Sequence, residues 1–356
     1  MHFFQTAKKR IKNLIIRDYF YTFAKNKAMQ PKVSIIITVY NREKYIEQCA
    51  RSLFGQSLND IEYIFVNDAS TDNSIGKLQN ILLEYPIRSK LTKIINLNKN
   101  GGVANARNIG IEYATGEYTI HTDSDDWVDT EMFEMLYMKA IETDADVVGC
   151  NICHEYPDGT SYLIQHYKET TEENISSLIR GKIHPSLCTS LTRTQLIKEH
   201  YLLFPCGLNM GEDLYFNLQV YLYANKIVNI DFAPYHYRHT PDSSSFCHNR
   251  KTIDSGIEIG KKIEQLMKDI GRYEEFKEDI NYRKFMMKLS LVQDFDNKEN
   301  YSYWLTIFPE THKYIWSYKE IDWKLRLELW FAAHHMYNIS RCIRQALYWQ
   351  HKIRKL

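Results

Sequence analysis

Hydrophobic runs alternate with segments of helical spacing through the first 150 residues. Val33 to Tyr40 is a continuous, largely β-branched run, typical of a strand buried on both faces of a parallel sheet. Apolar side chains three and four residues apart follow between Tyr45 and Phe54, and Asn41 is the predicted cap of that helix. The alternation predicts an α/β fold with a mostly parallel sheet flanked by helices. The later predicted strands are 62–67, 93–97, 117–122 and 146–150, and the later predicted helices are 72–85, 103–114 and 130–143.

Both ends of the chain have a different pattern. Their apolar residues recur at helical spacing, and lysine and arginine dominate the remaining positions. Between the α/β region and the basic C-terminal end, helical spacing predicts helices over 251–268 and 273–292, followed by an aromatic-rich stretch. The predicted organisation is a basic amphipathic helix at 1–30, an α/β domain at 31–245, and a helical C-terminal extension with a basic amphipathic end at 246–356.

The net charge of +1 conceals an uneven distribution. The basic ends flank an acidic body, which argues against a nucleic-acid reader, since such a protein needs basic residues on its working face. We expect the two ends to contact anionic lipid peripherally, although helices packed on the protein itself or contacts within a homo-oligomer explain the same pattern. No apolar run approaches the length of roughly 18 residues needed to span a bilayer.

Seven cysteines, an odd number, are scattered along the chain, and no apolar leader-like segment follows the basic residues near the amino terminus. We therefore expect a reduced, cytoplasmic setting, with possible attachment to the inner face of the cytoplasmic membrane. Cys150 and Cys153 have C-x-x-C spacing, but no second pair follows at zinc-finger spacing. A structural role for these two thiols is the favoured interpretation.

An acidic cluster directly follows the strand-like run that ends at Thr122. Asp123, Asp125 and Asp126 concentrate negative charge that a cation or solvent must neutralise. In an extended backbone Asp123 and Asp125 point to the same side, and Asp126 supports them from the other. Oxygen ligands suit Mg²⁺ or Mn²⁺, which commonly take phosphate oxygens as further ligands. A solvated turn is the alternative.

Other polar residues also lie where predicted strands end. Thr38 and Tyr40 close the first strand, and Asp68 follows the second. The carboxyl ends of strands in an open α/β sheet form the rim of the ligand crevice, so we expect these residues to converge. Tyr40 suits stacking on a base, and the Asp68 carboxylate suits a base N–H. Asp68 as a purely structural turn acid is the alternative.

Three further segments carry candidate chemistry. Gly101-Gly102 precedes a predicted helix whose free amides favour anions, and Arg107 one turn later offers a planar fork to a diphosphate. Two adjacent acids, Glu212 and Asp213, open a later helix-like stretch, where one can act as a base and the other as a cap. A capping role for both is the alternative. A short strand and turn near residue 238 carries Arg238, which suits phosphate, and His236 and His239, either of which suits a metal shell. A structural role for either histidine is the favoured interpretation.

The ordered motifs resemble the family 2 glycosyltransferases, which are inverting nucleotide-sugar enzymes of the Rossmann-like GT-A fold. The resemblance spans roughly residues 31–245. It implies a single transfer per binding event, because the Q-x-x-R-W signature of processive synthases is absent. The segments that carry it are 33–41, 67–72, 98–110, 114–118, Asp123-Ser124-Asp125-Asp126, Gly211-Glu212-Asp213 and Tyr237-Arg238.

The resemblance also implies a role for each matching residue. Asp123 and Asp125 match the D-x-D metal motif, with Asp125 the better candidate for direct coordination of Mn²⁺ or Mg²⁺. Asp213 matches the catalytic base. Thr38 and Asn67 depart from residues frequent in the family, which leaves base selectivity open. The implied donor contacts are Thr38, Tyr40, Asp68, Arg107 and Asp123, and the possible supporting residues are Asp126, Glu212, Arg238 and His239.

The implied activity is transfer of a hexosyl or N-acetylhexosaminyl unit from a nucleotide-diphosphate donor, expected to be UDP-linked. The acceptor would be a glycan or lipid-linked hydroxyl in surface polysaccharide synthesis. A non-catalytic nucleotide-sugar binding protein and a nucleotidyltransferase on a similar sheet are the competing interpretations. The second needs a Gly-rich basic loop after the first strand, which Val39 to Glu43 matches poorly.

Overall fold

The computed structural model describes residues 30–208, 210–239, 250–294 and 297–353. The basic helix predicted for 1–30 and the predicted boundary near residue 245 therefore lie outside the described residues, as do the last three residues of the chain. The described residues form two compact units. The first unit comprises residues from 30–153, 188–201 and 230–237, and the second comprises residues from 154–187, 202–229 and 238–353.

Eleven strands are present in the described part of the chain: β1 (Val33–Val39), β2 (Ile61–Asn67), β3 (Thr92–Asn96), β4 (Tyr118–Asp123), β5 (Trp127–Val128), β6 (Val147–Gly149), β7 (Ile152–Tyr156), β8 (Gly159–Leu163), β9 (Ser190–Arg193), β10 (Ile227–Asn229) and β11 (Tyr235–Arg238).

The helices described are α1 (Ile46–Phe54), α2 (Ser74–Glu84), α3 (Pro86–Ser89), α4 (Val103–Tyr113), α5 (Met132–Thr143), α6 (Thr171–Arg180), α7 (Thr194–Glu199), α8 (Glu212–Tyr223), α9 (Arg250–Asp269), α10 (Tyr273–Leu289), α11 (Lys298–Thr306), α12 (Trp323–Ala333) and α13 (Tyr337–Ile353). Two 3₁₀ segments, Ser290–Asp294 and Pro309–Ser317, connect the later helices.

The sheet of the first unit is mixed and mostly parallel, as the pattern predicts. Its strands follow the order β6-β9-β4-β1-β2-β3, in which β4, β1, β2 and β3 are parallel. The central strands β1 and β2 are buried along almost their whole length, which explains their continuous apolar sequences. β9 is antiparallel to both β4 and β6 and was not predicted, because its four residues carry no long apolar run.

The start of the first helix differs from the prediction. α1 begins at Ile46, and Asn41 is not its cap. Asn41 instead adopts a left-handed conformation with φ 53°, and its side-chain oxygen accepts a hydrogen bond from the Thr71 N–H at 2.8 Å. A short polar side chain tolerates this conformation, so Asn41 joins the turns that follow β1 and β2.

Helix α4 lies very close to the sheet. A Cβ atom built at Gly110 would come within 2.3 Å of Ile36 Cγ2 on β1, so this position requires glycine. Helix α4 contacts both β1 and β2, and the Arg107 side chain on the same helix is buried. The packing of one glycine thus places a cation beside the sheet.

The second unit contains the predicted helical extension. Helices α9 and α10 confirm the elements predicted over 251–268 and 273–292. Leu329 and Ala332 of α12 are buried in an aromatic core, and Trp330 packs against it. Arg344 donates to the buried Glu328 carboxylate at 2.8 Å. Part of the apolar and basic surface predicted for the closing segment is therefore used within this unit.

Among the helices that the structure describes, none combines the length and apolar character needed to cross a bilayer.

A buried carboxylate joins three elements at the amino-terminal edge of the sheet. Glu62 on β2 accepts hydrogen bonds from Ser34 Oγ at 2.5 Å and from the N–H groups of Thr115 and Gly116 at 2.5 and 3.0 Å. Lys93 Nζ lies 3.2 Å from its second oxygen. Burial alone would raise the pKa of Glu62, but these hydrogen bonds and the lysine lower it below 4.5.

We expect Glu62→Gln to lower the free energy of unfolding by about 1–3 kcal/mol near neutral pH, because buried donors lose a charged acceptor. Since the folded pKa is depressed, the contribution is complete above pH 4.5 and is lost as the pH falls through the folded value. Urea unfolding above and below pH 4.5 measures the difference in the free energy of unfolding between wild type and the variant. This difference should become smaller in acid. Glu112→Gln, at an exposed position of α4, is the control. Equal stabilities for Glu62→Gln and wild type would contradict the expectation.

Candidate active site

The carboxyl ends of β1, β2 and β4 bring the predicted polar residues of the first unit to one edge of the sheet. Thr38 lies opposite Asp123 in the parallel register of β1 and β4. Val39 lies opposite Asn67, and the Asp68 N–H donates to the Val39 carbonyl at 2.9 Å. Residues far apart in sequence therefore meet at this edge, as the topology of parallel strands requires.

Asp68 is buried and closes the glycine turn before α4. Its two carboxylate oxygens accept hydrogen bonds from the backbone N–H groups of Gly101 and Gly102, at 2.7 and 2.9 Å. Gly102 has φ 84°, in the left-handed region that glycine adopts at little cost. The sequence pointed to the turn and to the acid separately, and the structure joins them. Carboxylate oxygens retain further acceptor capacity, so a base contact remains chemically open to Asp68.

Asp123 is held by a buried arginine. Arg107 Nη2 lies 3.2 Å from Asp123 Oδ1, and only the arginine is fully enclosed. The Cys188 thiol lies 3.6 Å from the other oxygen, and burial, reinforced by the Asp123 charge, raises the pKa of that thiol. Burial and the Arg107 charge keep the pKa of His121 well below its usual value. Among these neighbours, Asp123 is therefore the charged group with which Arg107 pairs.

Asp126 and Tyr235 form the buried support of the acidic turn. The Tyr235 hydroxyl donates to Asp126 Oδ2 at 2.5 Å and accepts from the Asp123 N–H at 3.4 Å. The Asp126 N–H donates to the Asp123 carbonyl at 3.3 Å. Burial and the neighbouring Asp126 charge raise the pKa of Tyr235 well above its usual value, so it remains a donor. Sequence analysis missed Tyr235, because nothing in its local pattern separates it from a core tyrosine.

Asp123 and Asp125 keep solvent access. Their side chains are 33% and 27% exposed, in contrast to the buried Asp126. Ser124 between them points inwards and donates to the Thr38 carbonyl at 2.7 Å. Two accessible carboxylates on one rigid turn supply the oxygen ligands that Mg²⁺ and Mn²⁺ prefer, so the residues present fit a divalent cation.

Aromatic rings lie beside the acidic turn. Tyr40 at the end of β1 is 44% exposed and is available for stacking. Trp127 stacks on the His236 ring with centroids 5.1 Å apart, and His236 Nε2 lies 3.0 Å from Asp129 Oδ1. The structure therefore gives His236 a stacking and hydrogen-bonding role.

The remaining predicted site residues belong to the second unit. Glu212 and Asp213 are partly buried in the first turn of α8. Arg238 ends β11, and the following His239 has its Nε2 atom 2.8 Å from His154 Nδ1. His239 also stacks on Tyr156 at 4.0 Å, and burial lowers its pKa. The roles predicted for these residues remain predictions.

Comparison with known proteins identifies glycosyltransferases among the relatives. Residues 34–201 match the model of glycosyl transferase family 2. The chain is 31% identical over 266 residues to the uncharacterised glycosyltransferase EpsJ of Bacillus subtilis. The aligned region covers 71% of this chain and 74% of EpsJ. It is 32% identical over 211 residues to TarS of Staphylococcus aureus, a poly(ribitol-phosphate) β-N-acetylglucosaminyltransferase. The aligned region covers 58% of this chain and 35% of TarS.

The fold has a match among solved structures. TarS residues 1–349 in complex with UDP-GlcNAc superpose with a TM-score of 0.63 at 23% identity, covering 90% of this chain and 92% of the TarS fragment. This likeness extends into the C-terminal helices and shows that the GT-A architecture is shared.

We expect Tyr235→Phe to lower the free energy of unfolding by about 1–3 kcal/mol, because the buried Asp126 carboxylate loses a donor. Urea unfolding of the variant and wild type gives this value. The matched control is Tyr113→Phe, which removes the hydroxyl of a half-exposed tyrosine on α4 and should leave stability nearly unchanged. Indistinguishable effects of the two substitutions would show that the Tyr235 hydroxyl does not support the turn.

Proposed function

Because the chain belongs to the family 2 glycosyltransferases, we propose that it transfers a single sugar from a nucleotide-diphosphate donor, UDP-linked, to a hydroxyl of a glycan or lipid-linked acceptor. The transfer would invert the anomeric configuration and serve the synthesis of a surface polysaccharide. Relatives named as poly(ribitol-phosphate) glycosyltransferases support this pathway class. The UDP-GlcNAc complex of TarS supports the choice of UDP.

The observation that carries the proposal is the cluster of Asp68, Arg107, Asp123 and Asp125 at the carboxyl edge of the sheet. Its two accessible carboxylates suit a divalent cation that accompanies the phosphates of a nucleotide sugar, and the glycine turn and the buried arginine hold Asp68 and Asp123 in place. In the proposed complex Tyr40 stacks on the base, and Thr38 and Asp68 contact the nucleoside.

Asp123 and Asp125 are the proposed ligands of Mn²⁺ or Mg²⁺. When bound, the ion supplies positive charge to the departing diphosphate. The contribution of this chain is to hold both carboxylates in place: Arg107 fixes Asp123 from the buried side, and the Tyr235–Asp126 hydrogen bond fixes the turn. This preorganisation lowers the cost of reorienting the site as charge develops.

Asp213 is the proposed general base, which removes the proton of the acceptor hydroxyl as it attacks. It lies in the first turn of α8, after the N-cap Gly211, which has φ 89° and where an added Cβ atom would lie 2.9 Å from Ile259 Cγ1. Glu212, Arg238 and His239 are proposed to support the acceptor side. General-base catalysis of this kind contributes about 10²–10⁴-fold in rate.

Release of nucleotide from a panel of UDP-, GDP- and dTDP-sugars tests the proposal. We expect release from a UDP-sugar with Mn²⁺ or Mg²⁺, and its loss with excess chelator. Asp213→Asn should reduce turnover about 10²–10⁴-fold with little change in UDP binding, because the base contacts the acceptor. Asp125→Asn should weaken metal-dependent UDP binding.

Three results would decide against parts of this proposal. Absence of metal-dependent release or binding with every donor would contradict the donor and metal assignment. Full activity of Asp213→Asn would remove Asp213 as the base. Binding of UDP-sugars without transfer to any hydroxyl would favour a binding protein. Glu199→Gln, at an exposed position of the first unit, is the control for loss of a carboxylate.

We also propose that the protein contacts the inner face of the cytoplasmic membrane. Both basic ends were expected to do so, and the described part of the second unit offers a further surface. Trp316 and Trp323 are 47% and 57% exposed. Arg326 donates to the Trp316 carbonyl at 3.0 Å, and Lys324 lies 5.9 Å from the Trp323 ring. We call Trp316, Trp323, Lys324 and Arg326 the tryptophan corner.

Two acids near this corner have partners of their own. Glu320 pairs with Arg180 at 2.8 Å, and Asp322 accepts the Lys324 N–H as the cap of α12. Tryptophan favours the membrane interface, and lysine and arginine favour anionic headgroups. These side chains therefore complement an anionic bilayer surface.

Co-sedimentation with phosphatidylglycerol-containing and purely zwitterionic vesicles tests this contact. We expect binding to the anionic vesicles, weakened by salt and reduced several-fold in the Trp316→Ala/Trp323→Ala double variant, because each substitution removes an interfacial anchor. Tyr201→Ala, at the most exposed aromatic side chain of the described residues, is the control. Absence of binding in wild type, or a double variant that changes only the oligomeric state in light scattering, would contradict a lipid contact.

A further inference from the structure

Arg42 occupies a cation position at the acidic turn. It lies in the turn after β1, and its Nε atom is 3.1 Å from Asp125 Oδ2. Its Nη1 atom donates to the carbonyls of Tyr40 and Asn41 at 3.2 and 3.3 Å. The guanidinium thus joins the end of β1, where the base is proposed to stack, to one of the two accessible carboxylates.

The backbone around Arg42 is fixed by its neighbours. The Arg42 N–H donates to Ser74 Oγ at 2.7 Å, and the Asn41 N–H donates to Ser70 Oγ at 3.2 Å. Asn41 is held in its left-handed conformation by the Thr71 hydrogen bond. The backbone at Arg42 is therefore held by hydrogen bonds, whereas its side chain is partly exposed.

The two acids of the D-x-D motif hold arginines of different kinds. Arg107 is buried and is committed to Asp123 by its surroundings. Arg42 is 40% exposed. An exposed ion pair is worth about 0–1 kcal/mol, so a divalent cation can displace Arg42 from Asp125 at low cost. A released guanidinium keeps its planar fork of donors, which matches phosphate oxygens.

We propose that Arg42 is a positioning residue that neutralises Asp125 in the free enzyme and exchanges this carboxylate for a phosphate oxygen of the donor. The inference rests on the proposed function. It makes metal and nucleotide binding interdependent, because free Mn²⁺ must compete with Arg42 for Asp125, whereas a metal–nucleotide complex also offers Arg42 a new partner. Thermodynamic linkage requires each ligand to favour the other equally.

The test measures binding separately from turnover. Free Mn²⁺ is titrated by electron paramagnetic resonance without nucleotide, and UDP is titrated by calorimetry with saturating Mn²⁺. Arg42→Gln should bind Mn²⁺ alone about 2–5-fold more tightly, since the competing cation is gone. The same variant should bind UDP about 10-fold more weakly, since a charged hydrogen bond to phosphate is lost. Arg42→Lys should keep the Mn²⁺ affinity and recover part of the UDP affinity.

Arg51→Gln is the matched control, because Arg51 is a similarly exposed arginine of α1 that pairs with Glu84. It should change neither constant. Failure of wild type to bind Mn²⁺ and UDP would overturn the proposed function itself. If wild type binds both, the Arg42 proposal is overturned when Arg42→Gln shifts both affinities in the same direction or shifts neither. Urea unfolding of each variant separates these outcomes from loss of the fold.

Discussion

Electrostatic repulsion among the carboxylates at one sheet edge is the main constraint on this part of the first unit. Two like charges 4 Å apart repel by roughly 4 kcal/mol at an effective dielectric constant of 20. Each acid therefore has a partner of its own: backbone amides for Asp68, the buried Arg107 for Asp123, the tyrosine hydroxyl for Asp126, and an exposed arginine for Asp125. The partners of Asp68, Asp123 and Asp126 are backbone amides or buried side chains. The partner of Asp125 is exposed and replaceable, and Asp125 itself is accessible.

These partners come from elements that the parallel topology places together. The Gly101-Gly102 amides are aligned by α4, and α4 is seated on β1 through the close contact at Gly110. The same helix carries Arg107. The helix that packs on the sheet through a glycine and an isoleucine is thus also the helix that carries the cation paired with Asp123, so packing and electrostatics are linked at this edge.

Much of this could be predicted from the sequence, for identifiable reasons. β1 and β2 are buried on both faces, so their continuous apolar runs predicted strands of a mostly parallel sheet. The prediction that the polar residues at the ends of these strands lie close together followed from the same parallel topology. β9 escaped prediction because antiparallel pairing with β4 and β6 depends on tertiary contacts. Tyr235 escaped because a hydroxyl that serves Asp126, more than a hundred positions away, leaves no local signal.

Asn41 shows how a local rule fails where the chain needs a polar side chain for something else. Asparagine before an apolar helical segment is a good cap signal, yet the side chain bonds across to Thr71 and the helix starts later. The extended turn that results is long enough to bring Arg42 back towards Asp125. Had Asn41 capped the helix, the residue after it would have lain in the first helical turn, with its side chain directed by the helix. The departure from the capping rule and the arginine at the acidic turn therefore have one cause, which is the cross-link between the loops that follow β1 and β2.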